Sequence, residues 1–329
     1  MSSALSRTNL ARGYPIALLS AVFLATTAIL IRYLTLNYHI PAMVLAFWRD
    51  VFVALTLFPI LALLRPYLLR LDKSSLRFLT VFGLLLAVFN ALWTLSVALN
   101  GASVATVLAY CSAAFTALLG WLFFKERLDA AKILAVAICL LGCVLVSGAI
   151  SRAAWQTNPI GILSGILAGL GYAIYTLLGR SAAQRGLSPW TTLLYTFAFA
   201  SVFLMVFNLF PGGFLPGAAE NPADLFWLGG AITGWAVLFL LAAGPTVAGF
   251  GLYNLSLVYL PASVANLVVI TEPLFTAIFA YFLLDEKMSS LQVFGGMLIL
   301  AGVIFLRIYE GRLANRISPQ PADNIEVVL

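Results

Sequence analysis

Three ionisable side chains lie deep inside apolar stretches of the sequence. Arg49 and Asp50 follow about ten residues after the start of one such stretch, and Glu272 lies midway along another. In lipid each costs roughly 2.5–3.5 kcal/mol unless it faces a partner, the backbone or a wet cavity. These residues therefore form either a solute or ion site or a structural ion pair that locks helices together. We predict that Arg49 and Glu272 contact substrate, whereas Asp50, about 100° from Arg49 around a helix, fits both interpretations.

The carboxyl group of Glu272 has two candidate tasks. Because desolvation disfavours the charged form of a carboxylic acid, Glu272 is suited to exchange a proton as a cavity alternates between two sides of a membrane. Alternatively, it contacts a cationic group of a solute. A nearby Arg49 would instead keep Glu272 ionised and make the pair a substrate clamp or a structural lock. The sequence leaves the distance between the two residues open.

Aromatic and polar side chains near the middle of neighbouring stretches form a second group of candidates for substrate binding. They are Trp93, Tyr110, Tyr172, Tyr175, Tyr253 and Asn254, with Thr94 beside Trp93. Amphipathic aromatic side chains line cavities for organic solutes, although they more often pack or face lipid. Pro removes a helical hydrogen bond and Gly loosens the backbone, so we predict hinges at Gly244, Pro245 and Pro273.

The elements that position these residues must cross a membrane. Among 329 residues only 18 are Lys or Arg and 12 are Asp or Glu, whereas a soluble chain of this length carries roughly 80 charges. Hydrophobic residues make up 63% of the chain, and the mean hydropathy is +1.04. This composition excludes a soluble enzyme, a disordered chain and a nucleic-acid-binding module. With three cysteines inside apolar runs and one histidine in a loop, we predict no disulfide framework, no metal site and no cofactor.

Ten stretches are long enough to cross about 30 Å of hydrocarbon, which takes roughly 20 residues in a helix. The predicted spans are 14–36, 40–64, 76–99, 102–124, 130–149, 158–180, 188–210, 234–258, 262–284 and 290–309. The Pro- and Gly-rich region 210–233 is predicted to be a loop with a short interfacial helix around 225–228. The first span is longer than the apolar part of a signal peptide, so we expect it to be retained.

The distribution of Lys and Arg predicts the orientation. With the N-terminus in the cytoplasm, fourteen of these residues fall in inner segments and three on the outer side. Because translocation of positive charge is disfavoured, we predict that both termini are cytoplasmic. Residues 1–13 and 310–329 are then cytoplasmic tails, and the expected location is the plasma (inner) membrane.

The chain repeats itself at an offset of 160 residues. The sequence ASVA at 102–105 recurs at 262–265, and the charged exit KERL at 125–128 falls on DEKM at 285–288. Chance identity is high in apolar sequence, so the agreement of span ends and charged exits is the stronger signal. We predict that the two halves are homologous.

The repeat also predicts how the two halves are oriented. Each half contains five spans, an odd number, so the second half begins on the opposite side of the membrane. We therefore predict an all-α integral membrane fold of two inverted five-helix units, 14–150 and 151–309. Many secondary transporters have this arrangement, although some channels and membrane enzymes are also duplicated. The same offset relates Trp93 and Thr94 to Tyr253 and Asn254.

From about residue 14 to 309 the sequence resembles the EamA-type branch of the drug/metabolite transporter superfamily. The resemblance is carried by TEPLFTA at 271–277 running into LLDEK at 283–287, and by the first-half counterpart, FTA through FFKERL, within 115–128. It implies a solute path between the two halves and, typically, efflux of small metabolites. Ala113 stands where the family commonly has Pro in the fourth span, so the sequence does not predict the family's kink there.

Two other classes of function were weighed against transport. The sequence shows no Ser/His or paired-Asp arrangement, no metal-binding acidic cluster and no Walker-type motif, which argues against a membrane enzyme. A scaffold or sensor without flux would carry a soluble domain or a long tail. We therefore predict a secondary transporter that exports small organic metabolites by alternating access, with amino acids and their relatives the first class to test. Its expected partners are the lipid bilayer, the solute and, through Glu272, protons.

Overall fold

A computed structural model describes residues 7–146, 158–210, 215, 217–284 and 289–317, and every regular element in these ranges is helical. The α-helices are α1 (Arg7–Tyr38), α2 (Ala42–Leu64), α3 (Lys73–Tyr110), α4 (Ser112–Phe124), α5 (Ala130–Val146), α6 (Pro159–Gln184), α7 (Pro189–Asn208), α8 (Ile232–Leu241), α9 (Val247–Tyr259), α10 (Ala262–Val269), α11 (Glu272–Leu284) and α12 (Ser290–Ile317). Short 3₁₀ turns occupy Pro66–Leu69 and Pro222–Phe226, and a π-helical turn occupies Ala242–Thr246.

The helices match the ten predicted spans. Nine helical segments of the described chain are long and apolar enough to cross a membrane, and α5 is a shorter apolar helix. The first and last helices extend beyond the predicted spans, since α1 begins inside the predicted tail 1–13 and α12 continues into the predicted tail 310–329. Residues 147–149 and 285–288 lie outside the described part of the chain. Exposed leucine, isoleucine and phenylalanine side chains cover the outside of the bundle, as expected of an integral membrane protein.

The third and fourth spans share one continuous run of helical backbone, α3, which turns back on itself. A Cβ built on Gly165 would lie 2.6 Å from the Ser96 Oγ and 2.8 Å from the Leu108 Cβ, so these two residues are neighbours. A straight helix would separate them by about 18 Å. The chain therefore reverses between them, and its two apolar segments, Lys73–Ser96 and Val104–Phe124, correspond to the predicted third and fourth spans, 76–99 and 102–124.

Three spans are interrupted near their middle. The π-helical turn that contains Gly244 and Pro245 divides the eighth span into α8 and α9, as the two residues predict. The ninth span breaks between Val269 and Glu272, just before Pro273. In both spans, proline removes a backbone donor where the helix is interrupted.

The fourth span also breaks, at Cys111, although Ala113 stands where the family commonly has proline and the sequence did not predict a break there. The Cys111 N–H bonds to the Leu108 carbonyl at 3.2 Å, a tight i to i−3 turn, and α4 starts at the next residue. A tight turn interrupts a helix without proline. The 160-residue offset relates Cys111 to Thr271, which lies in the break of the ninth span.

The helices pack with partners from the other half of the chain. Extensive packing joins α3 to α6, α5 to α12, α1 to α9 and α2 to α7. Glycines permit close approach: a Cβ on Gly142 of α5 would lie 2.7 Å from the Gly295 carbonyl oxygen of α12. The two halves therefore share one interior.

The loop between α7 and α8 covers one end of α1 and α2. Its 3₁₀ turn, Pro222–Phe226, begins three residues before the predicted short helix. The Trp227 indole donates to the Tyr38 carbonyl at 2.9 Å, and the Met43 N–H donates to the Gly217 carbonyl at 2.9 Å. The loop is thus held against the start of α2, next to the candidate site.

Candidate functional site

A cavity of about 410 Å³ lies between α1, α2 and α3, at the end of the bundle where α1 connects to α2. Its walls are mostly hydrocarbon and are formed by Ile31 of α1, by Ile40 just before α2, by Leu45 and Ala46 of α2, and by Trp93 of α3. Small-molecule sites commonly have volumes of about 300–1,000 Å³ and apolar walls with a few polar groups. The cavity therefore has the size and lining of a site for a small organic solute.

Arg49 supplies the charge of this cavity. The Arg49 Nε lies 3.3 Å from the Asp50 Oδ1, and the Asn90 Nδ2 donates to the Asp50 Oδ2 at 3.2 Å. Asp50 is fully buried, whereas Arg49 is 6% exposed and lines the cavity together with Asn90. The carboxylate and the amide thus hold the guanidinium at the cavity wall.

Glu272 lies at a different site. The Tyr110 hydroxyl donates to the Glu272 Oε2 at 2.6 Å, which joins the end of α3 to the first turn of α11. Arg49 bonds to Asp50 instead, so the structure does not form the clamp or lock between Arg49 and Glu272 that the sequence left open. Tyr110 and Glu272 flank the breaks of the fourth and ninth spans, so this hydrogen bond joins the two breaks across the halves of the chain.

Three tyrosines, Tyr172, Tyr175 and Tyr253, pack together between α6 and α9, and we call them the tyrosine cluster. The Tyr175 and Tyr253 rings are stacked with centroids 6.5 Å apart, and Tyr172 stacks on Phe89 of α3 at 5.4 Å. All three tyrosines are buried. The structure thus gathers these predicted site residues in the buried core, and they are not among the residues that line the cavity.

A chain of hydrogen bonds crosses this core. The Tyr253 and Thr176 hydroxyls lie 2.7 Å apart, the Asn266 Nδ2 donates to the Thr176 Oγ1 at 3.2 Å, and the Ser112 hydroxyl donates to the Asn266 Oδ1 at 3.2 Å. Asn254 accepts from Tyr175 at 3.4 Å, while its buried Nδ2 has no partner among the described residues. An unpaired buried donor costs about 1–3 kcal/mol, so a polar group that approached Asn254 would be stabilised there.

A further network, which sequence reasoning missed, joins the two halves at the start of α10. Glu126 accepts from the Ala262 N–H at 2.7 Å, from the Ser263 N–H at 3.2 Å and from the Ser263 hydroxyl. The buried Lys132 donates to the Ser263 Oγ at 3.1 Å and lies 3.6 Å from the Glu310 Oε1. Carboxylate oxygens stabilise a helix N-terminus, because its first N–H groups lack helical partners. We call Glu126, Lys132, Ser263 and Glu310 the closing network.

The closing network and the cavity lie at opposite ends of the molecule. A Cβ on Gly13 would lie 2.5 Å from Leu260, so the start of α10 is beside the N-terminal part of α1. The cavity is lined by Ile31 and Thr35 from the other end of α1. About 18 residues of helix, or about 27 Å, separate the two levels. The charged exit at 125–128, which supports the predicted repeat and contains Glu126, was the sequence signal for this network.

In the part of the chain that the structure describes, no three His, Cys, Asp or Glu side chains converge on a common point that would hold a metal ion. The carboxylate of Asp50 is instead paired with Arg49 and Asn90, and that of Glu272 with the Tyr110 hydroxyl.

Comparison with known proteins relates this chain to a family of membrane transporters. A family profile described as the EamA-like transporter family matches residues 11–148 and 159–308. A protein of Archaeoglobus fulgidus is 25% identical over 288 residues, which cover 87% of this chain and 93% of that protein. A protein of Synechocystis is 27% identical over 246 residues, 74% of this chain and 68% of that protein. Both relatives are described as uncharacterized transporters.

One solved crystal structure has the same fold. It superposes with a TM-score of 0.74 at 15% identity and covers 92% of this chain and 99% of that one. At 15% identity this likeness shows a shared arrangement of the helices and nothing about function.

Proposed function

Because this chain belongs to the EamA-like transporter family and is therefore a membrane transporter, we propose that it exports small organic metabolites across the plasma (inner) membrane by alternating access. Amino acids and their relatives are the first class to test. The observation that supports this proposal is that the helical bundle is open at one end and closed at the other. The cavity reaches Arg49, about two turns into α2, from one end, while the closing network joins the halves at the other.

Alternating access through an inverted repeat requires two units, which we propose are 14–150 and 151–309. Packing directions support this division. The first arm of α3 runs antiparallel to α6, and α9 runs antiparallel to α1, so the same pairing occurs twice with the units exchanged. The neighbours that define these directions are Ser96 with Gly165, Phe89 with Gly171, Leu24 with Gly249 and Leu260 with Gly13.

A chain whose five-span units are inverted has both termini on one side, which we propose is the cytoplasmic side. Thiol labelling of Ala218→Cys and Ala314→Cys in sealed cells, with the native cysteines replaced, checks this orientation. We expect labelling from outside at position 218 and none at position 314. Labelling at 314 would overturn the topology.

Within this mechanism we propose that Glu272 carries the coupling proton. Its hydrogen bond to Tyr110 joins the breaks of two spans, so a movement of the halves changes its surroundings. Glu272 is absent from the lining of the cavity, which argues against its second candidate task, contact with a cationic group of the solute.

Glu272→Gln preserves the shape of the side chain and removes its ionisable proton. This variant should fold and keep solute exchange, but concentrative transport and the pH dependence of the rate should be lost. Tyr110→Phe is the matched control, because it removes the hydrogen bond and leaves the carboxyl group, so concentrative transport should persist. Unchanged pH dependence in Glu272→Gln would assign Glu272 to packing.

The function itself is tested by counterflow in proteoliposomes across a panel of metabolites that begins with amino acids. We expect saturable flux for at least one class and none in empty liposomes. Folded protein without flux for any solute would favour the alternative of a membrane scaffold or sensor. Chemical conversion of a solute during the assay would indicate the other alternative, a membrane enzyme.

A further inference from the structure

The ion pair of Arg49 and Asp50 cannot serve as a lock between helices. Both residues are neighbours on α2, so their contact at 3.3 Å joins α2 to itself. The link to α3 is made by Asn90, which bonds to Asp50 and not to the guanidinium. A structural ion pair is therefore an incomplete explanation of why Arg49 lies inside the membrane.

The hydrogen-bonding capacity of Arg49 is mostly unused. A guanidinium has five N–H donors in a planar fork, and in the described part of the chain only the Nε of Arg49 has a protein acceptor. The negative charge beside it is fully buried in Asp50, behind the cavity wall. The cavity therefore presents the donors of Arg49, and none of the described residues that line it is a carboxylate.

The other walls of the cavity favour a solute with an apolar part. Ile31, Ile40, Leu45 and Trp93 offer hydrocarbon and an indole ring but no charge, in a space of about 410 Å³. A solute that binds here must therefore pair a compact apolar or aromatic part with a group that accepts hydrogen bonds from a guanidinium. Carboxylates match this fork in a bidentate manner.

We propose that the transported solutes are small amphipathic organic anions whose carboxylate binds Arg49 while an apolar body packs against Trp93 and the aliphatic wall. This inference rests on the proposed function and defines its substrate class. Asp50 and Asn90 are positioning residues that hold the guanidinium toward the cavity. A cation stacked on Trp93 is the competing occupant and is an outcome of the test.

Three probes with the same body separate these possibilities in the full-length protein. N-acetyl-L-phenylalanine carries only the carboxylate, L-phenylalaninamide carries only the amine, and L-phenylalanine carries both. Binding to the purified protein and competition for counterflow should rank N-acetyl-L-phenylalanine well above L-phenylalaninamide. Equal or better binding of L-phenylalaninamide would overturn the inference.

Arg49 variants test the contact itself. Arg49→Gln should weaken binding of N-acetyl-L-phenylalanine by about tenfold or more, since a charge-assisted pair is lost. Arg49→Lys, which keeps the charge without the fork, should lie between Arg49→Gln and the native protein. Arg49→Gln leaves the buried charge of Asp50 without its cation, which could destabilise the fold. The double variant Arg49→Gln/Asp50→Asn removes that charge as well and tests the contact in a second form. Unchanged affinity in a folded variant would overturn the assignment.

The role of Asn90 in positioning Arg49 is tested by a separate measurement. Asn90→Ala should raise the KM for N-acetyl-L-phenylalanine with little change in maximal rate, which a general loss of stability would not produce. If the native protein transports other solutes but binds neither aromatic nor aliphatic carboxylates, the substrate class is wrong and the proposed function stands. If no solute moves at all, the proposed function fails first.

Discussion

The repeat-related residues Trp93 and Tyr253 lie in opposite surroundings. Trp93 is partly exposed and forms a wall of the cavity, whereas Tyr253 is fully buried in the tyrosine cluster. In the proposed inverted repeat their spans have equivalent places, yet Trp93 borders the cavity and Tyr253 packs among aromatic rings. The difference between the two sites therefore lies in the packing around them. In the proposed alternating mechanism one of these two sites is open and the other is filled in each state. The change of state would then fill the space beside Trp93 and open the space beside Tyr253.

The strongest test of this comparison adds the same bulk to each region. Ala46 is 4% exposed and lines the cavity, whereas Ala173, which follows Tyr172 on α6, is fully buried. Ala46→Phe should fold and reduce transport to background, because the ring fills the solute space. Ala173→Phe should lose about 1–3 kcal/mol of stability or more through overpacking. Thermal unfolding and counterflow of both purified variants distinguish the two effects, and equal destabilisation would mean that the cavity is not open space.

A smaller effect is expected from trimming the repeat-related residues. Tyr253→Phe removes the hydroxyl that contacts Thr176 and Asn266, and the loss of a buried partner costs about 1–3 kcal/mol. Trp93→Phe should change stability by less than about 1 kcal/mol, because one face of the side chain borders the cavity, but it should weaken solute binding. Unfolding temperatures and binding isotherms check both. A larger stability loss at Trp93 than at Tyr253 would reverse the comparison.

The smallest effect should come from a residue outside both regions. Asp72 caps α3 by accepting from the Ser74 and Ser75 N–H groups at 2.9 and 3.3 Å. Hydrogen bonds from Ser75 and Ser74 lower the pKa of the Asp72 carboxyl below its ordinary value. Its contribution to stability is therefore present above about pH 4, the ordinary pKa of aspartate, and is lost as the pH falls through the lower pKa of the folded state.

Asp72→Ala should accordingly loosen the first turn of α3 while leaving transport intact. Hydrogen exchange at residues 74–76, compared with Asp72→Asn, which keeps a capping oxygen, measures this effect. Reduced transport in Asp72→Ala would mean that the first turn of α3 takes part in the mechanism.

The sequence predicts most of the helical plan, because span length and hydropathy are local properties. It predicts ten spans, and the described chain has nine helical segments long and apolar enough to cross a membrane and the shorter α5 at the place of the fifth span. The eighth and ninth spans are interrupted at Ala242–Thr246 and just before Pro273, whereas hinge motion at these points stays a prediction. The break at Cys111 was not predicted, because position 113 lacks the proline that would have indicated it. A helix also breaks through a change from i−4 to i−3 bonding, and no residue type in that segment signals this change.

The partners of the buried charges depend on contacts between distant parts of the chain. Tyr110 and Glu272 are 162 residues apart, and Glu126 meets Ser263 across 137 residues, so no local pattern reveals either contact. Arg49, by contrast, pairs with its neighbour Asp50, although the two side chains start about 100° apart on the helix. Long side chains of adjacent residues can still meet, and sequence reasoning based on Cα directions alone left this pairing open.

Cross-linking the closing network tests alternating access most directly. In a protein whose native cysteines are replaced, Glu126→Cys and Ser263→Cys are joined by a short, reducible bis-methanethiosulfonate reagent, with each single-cysteine variant as a control. If the transporter works by alternating access, cross-linking should stop counterflow, reduction should restore it, and N-acetyl-L-phenylalanine should still bind the cavity while the link is intact. Undiminished counterflow in fully cross-linked protein would rule out this mechanism, because solute would then cross the membrane without separating α4 from α10.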